Sequence, residues 1–106
     1  VEFIETSVFT RLITALLEDN EYGDLQIALA SDVEAGDLIP GGGGLRKLRW
    51  SSAKKQKGKR GGIRVIYYIY SRHKLYMIYA YDKGEHEDLT KRQLQVLRDH
   101  VKGELL

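Results

Sequence analysis

Apolar and polar positions recur along the chain with periods that mark out its elements. Glu2-Phe3-Ile4-Glu5 reads as a short first strand. Thr6 or Ser7 offers a side-chain oxygen to cap a helix from about Val8 to Leu17. Its Phe9, Leu12, Ile13, Leu16 and Leu17 fall on one face at helical spacing. Asp19 or Asn20 caps a second helix, roughly Glu21 to Val33, with a looser stripe of Tyr22, Leu25, Ile27, Leu29 and Val33. Gly36 is its natural stop.

The period then shortens to two. Leu45 to Trp50, Ile63 to Tyr70 and Leu75 to Tyr81 read as strands, the second of them most clearly because it is rich in β-branched and aromatic residues. The last two are joined by the turn Ser71 to Lys74 and should pair antiparallel. Pro40-Gly41-Gly42-Gly43-Gly44 reads as a linker-like turn, a flexible connection before the first of them. A phosphate cradle is the other reading of such a run, but Gly-Lys-Ser/Thr is missing and a strand follows rather than a helix. A last helix starts near Thr90, with Asp88 or Thr90 as cap and Leu94, Leu97, Val101 and Leu105 pointing inward. The order β-α-α-β-β-β-α predicts an α+β domain over residues 1–106. A largely antiparallel sheet, extended by the first strand, is covered on one face by helices.

Composition narrows the possibilities. A chain of 106 residues suits one domain and one modest core. It has no cysteine, which excludes disulfides, thiolate metal sites and a cysteine nucleophile and fits a reducing cytoplasm. No run of about 18 apolar residues is present, so no membrane partner is expected. The opening Val-Glu-Phe-Ile-Glu does not read as a signal peptide.

Charge changes the picture more. The net charge is only +2, yet residues 1–37 hold nine acidic side chains and one basic one, whereas Leu38 to Tyr81 holds eleven basic and no acidic ones. A solvated face usually mixes signs, so the second block points to a polyanionic partner. Within it, Lys54, Lys55, Lys57, Lys59 and Arg60 form a basic loop suited to a nucleic-acid backbone; a nuclear localisation signal is the competing reading. Alternation puts Ile63, Val65, Tyr67 and Ile69 on the core face, and Arg64 with Ile66, Tyr68 and Tyr70 on the face away from the helices. An arginine in mid-sheet requires an anion unless that face is open to water, and the neighbouring strands supply no carboxylate. Most of the tyrosines suit strand packing, while Tyr68 and Tyr81 are placed to stack on bases. The histidines His73, His86 and His100 share no metal-ligand spacing, and Glu85-His86-Glu87-Asp88 reads as a helix lead-in, so no metal or other cofactor is expected. Chemistry on RNA would then fall to cations: Lys47, Arg49 and Arg64 on adjacent strands, with Lys83 just beyond the last one.

Four segments in order carry a family resemblance: Gly44-Leu45-Arg46-Lys47-Leu48-Arg49, Gly58-Lys59-Arg60-Gly61-Gly62-Ile63-Arg64-Val65-Ile66-Tyr67-Tyr68, Tyr79-Ala80-Tyr81-Asp82-Lys83-Gly84-Glu85 and Asp88-Leu89-Thr90. Together they resemble the RelE/HigB-type toxins of bacterial type II toxin–antitoxin systems, most closely the HigB branch. The resemblance implies a RelE-like fold and a ribosome-dependent mRNA endoribonuclease, or mRNA interferase. Such an enzyme works in the ribosomal A site, cuts by 2′-OH attack without metal, and inhibits translation. It also implies a cognate helix-turn-helix antitoxin, with operator DNA reached only through that antitoxin, and the 70S ribosome and mRNA as partners. By the same resemblance Lys47 matches a catalytic lysine, Arg64 the arginine that holds the scissile phosphate, and Lys83 a basic residue after the last strand. Gly84 stands where many relatives have arginine, and Thr90 lies near where many have a catalytic Tyr or His, which leaves the general acid open. A non-catalytic RNA- or ribosome-binding regulator shares the basic loop and the tyrosines and is the alternative.

Overall fold

A computed structural model describes residues 1–54, 62–85 and 88–104. In chain order the elements are β1 (Glu2–Glu5), α1 (Ser7–Leu16), α2 (Asp19–Ser31), β2 (Asp37–Leu38), β3 (Leu45–Trp50), β4 (Ile63–Ser71), β5 (Lys74–Asp82) and α3 (Lys91–Glu104). The strands form one sheet in the order β1-β5-β4-β3-β2. β1 runs parallel to β5, and the other pairs are antiparallel. The fold is thus α+β with a mostly antiparallel sheet. No described helix is long and apolar enough to cross a membrane.

Local chemistry sets the helix starts. Thr6 Oγ1 accepts from the Phe9 backbone N–H at 3.0 Å and caps α1, while Phe9, Ile13 and Leu16 bury its apolar stripe. The same hydroxyl donates to the Ile78 carbonyl at 3.0 Å. Strand pairing skips Ile78, which sits in a bulge between the Ile66–Tyr79 and Tyr67–Met77 pairs. Thr6 therefore starts a helix and satisfies the irregular point of β5 together. α2 begins earlier than expected, because Glu18 and Glu21 form a reciprocal capping box that displaces Asp19 and Asn20 as the cap. It also ends before Gly36. Asp32 turns the chain by accepting from Glu34 N–H at 3.0 Å, and Gly36 N–H instead donates to Tyr67 Oη at 2.9 Å. α3 is capped by Thr90, which exchanges bonds with Gln93, so Asp88 is released from the capping role.

Two further expectations are corrected. The glycine run is not a flexible connection but the hydrogen-bonded turn of a β2–β3 hairpin. Ile39 N–H donates to Leu45 O at 3.0 Å, and Gly42 N–H to Ile39 O at 2.8 Å. β2 is only two residues long, too short to leave a period in the sequence. Nor do the helices share one face. α1 and α2 pack with Val65, Tyr67, Met77 and Ala80, whereas Leu94, Leu97 and Val101 of α3 pack on the opposite side with Leu45, Ile66, Ile78 and Tyr81. The face assigned to solvent carries Ile66, fully buried, and that apolar surface requires a cover. Leu105 lies outside the described residues.

Candidate active site

The α3 face of the sheet is apolar at one end and charged at the other. Register makes the charged end. Arg49 on β3 stands opposite Arg64 on β4, and Arg64 stands opposite Tyr81 on β5. Paired residues on antiparallel strands share a face with Cα atoms about 4.5–5.5 Å apart. Lys47 lies two residues along from Arg49 on that face, opposite Ile66. Lys83 follows the end of β5, where its N–H donates to Gly62 O at 3.1 Å. Gly62 has φ +68°, and a Cβ there would collide with the Trp50 carbonyl. The glycine thus lets β3 and β4 close against each other at the charged end.

Arg64 is only 4% exposed. Burial, and then the positive charge of Arg49, push its guanidinium below the ordinary arginine range; Tyr81 and Asp88 oppose that shift. Two guanidiniums side by side, one of them buried, make a strong local demand for an anion. Part of that demand is met by Asp88. Its Oδ1 accepts from Lys47 Nζ at 2.8 Å. That bond, with the charges of Lys47, Lys83 and Arg64, holds the Asp88 carboxyl below its usual range although partial burial works against it. Tyr81 is 4% exposed, and its phenol is pushed up to about 12, mainly by burial and next by the charge of Asp88.

The structure therefore gathers Lys47, Arg49 and Arg64, with Lys83 in electrostatic reach of the shared Asp88. Asp88 itself is the group that the sequence reading missed, because it had been weighed as a helix cap. The signal lay in the charge balance: buried arginine in a strand block without acids requires a carboxylate from elsewhere in the chain.

The residues expected to grip RNA fare differently. Tyr81 is too buried to offer a ring face to a base, so its stacking role is withdrawn. Tyr68 is half-buried among the α3-side apolar residues, and its ring lies over Gly44, where a Cβ would come within 2.9 Å. Lys54 points to the helical hairpin: its Nζ donates to the Thr14 carbonyl at 3.3 Å and lies 3.7 Å from Glu18 Oε1. Lys55, Lys57, Lys59 and Arg60 lie outside the described residues, as does His86. His73 sits beyond β4 and His100 on α3, both exposed. Among the described residues no three His, Cys, Asp or Glu side chains gather in a way that would hold a metal ion. No protein-family model matches the chain.

Proposed function

We propose that the chain is a RelE/HigB-like toxin, an endoribonuclease that cuts mRNA on the 70S ribosome and is neutralised by a cognate helix-turn-helix antitoxin. The observation that carries this reading is the convergence of Lys47, Arg49 and Arg64 on one sheet face beside Asp88. Such a cluster suits a phosphate flanked by a reacting hydroxyl.

In the reaction, the 2′-oxygen of a ribose forms a bond to the adjacent phosphorus, and the bond from phosphorus to the 5′-oxygen breaks. The 2′-proton leaves to a base, and the 5′-oxygen receives a proton. The products are a 2′,3′-cyclic phosphate and a 5′-hydroxyl. The crowded phosphorane between them carries more negative charge on its equatorial oxygens than the starting diester. Arg49, which is exposed, presents forked donors to those oxygens. Arg64, buried opposite it with one guanidinium N–H on the Ile63 carbonyl at 3.1 Å, adds positive charge from a low-dielectric setting where it acts more strongly than in water. Lys47 adds a third positive charge. Asp88, held as a carboxylate well below neutrality, is a weak base; its work is to orient the Lys47 ammonium. Tyr81, kept protonated far above neutral pH, is a hydrogen-bond donor rather than an acid–base catalyst. Lys83 is the cation nearest the end of β5 and is assigned the proton delivered to the 5′-oxygen.

Expression in bacteria should arrest growth, and primer extension on the mRNA should reveal new 5′ ends inside codons. Intact messages on stalled ribosomes would point to the non-catalytic regulator instead.

A further inference from the structure

A cleft of about 380 Å³ opens beside the charged cluster. Its apolar lining is Leu38, Ile39 and Pro40 from the end of β2 and the turn after it, with Leu89 just before α3 and Leu94 in its first turn. Its polar lining is Lys47, Arg49, Asp88 and Asp37. The volume falls within the range of about 300–1,000 Å³ typical of small-molecule sites, and mostly apolar walls with a few placed polar groups are the usual make-up of such sites.

Three features define what would fit. Lys47 and Arg49 line the cleft and belong to the charged cluster, so a group seated here lies next to whatever anion that cluster takes. Leu38 is 58% exposed, and Pro40 is exposed at the same rim, which leaves flat apolar surface open to a planar ring. Asp37 stands opposite Lys47 in the β2–β3 pair and therefore on the same face. Among the described residues no cation lies within ion-pair distance of Asp37, whereas Asp88 is already taken by Lys47. A carboxylate only accepts hydrogen bonds, so Asp37 selects a donor.

We infer that this cleft is a nucleobase site, taking the base next to the bound phosphate and preferring bases with an exocyclic amino group, which Asp37 recognises. The inference deepens the nuclease reading by supplying its sequence choice: the phosphate contacts position the RNA, and the contact at Asp37 discriminates. Cytosine and uracil differ at the decisive point, an amino donor against a carbonyl acceptor. Uracil would set its carbonyl against the Asp37 carboxylate.

The test is titration of the purified full chain with cytidine 3′-monophosphate and uridine 3′-monophosphate, followed by NMR amide shifts of Ile39 and Leu89. The cytidine nucleotide should bind roughly fivefold more tightly or better, near the low end of base discrimination because Asp37 faces solvent. Asp37→Asn, which supplies a donor, should erase or reverse the ratio, and Asp37→Ala should erase it. Both variants change an exposed side chain, and an unchanged amide spectrum elsewhere confirms the fold. Equal affinities in the unaltered protein, a ratio that survives both substitutions, or shifts that map away from the cleft would overturn the inference. A cytidine preference in a protein that leaves ribosome-bound mRNA intact would sink the nuclease reading and leave the base site standing. Cleavage without base preference would do the reverse.

Discussion

The two faces of the sheet are built from the same strands and do opposite work. In β4, Ile63, Val65 and Tyr67 turn toward α1 and α2 and join an apolar cluster with Phe9, Leu25, Leu29 and Met77. Their neighbours Arg64 and Ile66 turn toward α3, where the cluster is smaller and gives way to charge. The first face holds the fold together. The second face carries a buried arginine opposite another arginine, with one Arg64 N–H on the Ile63 carbonyl at 3.1 Å and the charge of Asp88 close by. A fold stabilised on one side can carry an electrostatically strained surface on the other.

Substitutions that test this contrast differ in size. Lys47→Ala or Arg49→Ala should lower ribosome-dependent cleavage by about 10²–10³-fold, the usual loss when one preorganised donor to a developing charge is removed. Thermal unfolding of these variants should be nearly unchanged. Leu25→Ala, on the helical-hairpin side, should cost about 2–5 kcal/mol of stability in denaturant titration while the folded fraction keeps its cleavage rate. A loss of cleavage in folded Leu25→Ala protein would mean that the faces are not separable.

Tyr67→Phe should cost about 1–3 kcal/mol, because Tyr67 Oη both donates to the Val33 carbonyl at 2.7 Å and accepts from Gly36 N–H. The same phenol sets a pH limit. Tyr22, Tyr67 and Tyr81 are all raised above the ordinary tyrosine value, chiefly by burial, so above about pH 10 the folded chain holds more protons than the unfolded one. Their contribution is whole below pH 10 and is lost as pH rises toward about 12, the value for Tyr81. Equilibrium unfolding across that range should show stability falling, and Tyr22→Phe should flatten the slope. The smallest effect belongs to Asp88→Asn. Its side chain is 70% exposed, so the lost pair with Lys47 should cost less than about 1 kcal/mol at neutral pH. Because its folded carboxyl is depressed, the contribution is present above about pH 4 and disappears as pH falls below that.

How far these features could be read in advance follows from their range along the chain. Thr6 and the stripe from Phe9 to Leu16 are local signals, and the helix they announce is there. The alternation in β4 separated Val65 from Arg64 correctly, since a period of two depends only on neighbours. It did not say what would cover each side. The Leu94–Val101 stripe fits either face, and only the chain path from β5 decides. The Ile78 bulge was hidden because it is created by pairing: skipping one residue puts Ile78 and Tyr79 together on the α3 side. Within the site, Lys47, Arg49 and Arg64 were legible from strand position. Asp88 was not, since its contact with Lys47 spans 41 positions and its own surroundings look like a helix start.

Arg64 and Val65 are adjacent and point to opposite faces, so they separate the two roles most directly. Paired measurement of melting temperature and ribosome-dependent mRNA cleavage on Arg64→Ala and Val65→Ala is the decisive comparison. Arg64→Ala should melt close to the unaltered protein and lose cleavage. Val65→Ala should melt lower and keep cleavage in its folded fraction. An Arg64→Ala protein that stays folded and still cuts mRNA would contradict the account.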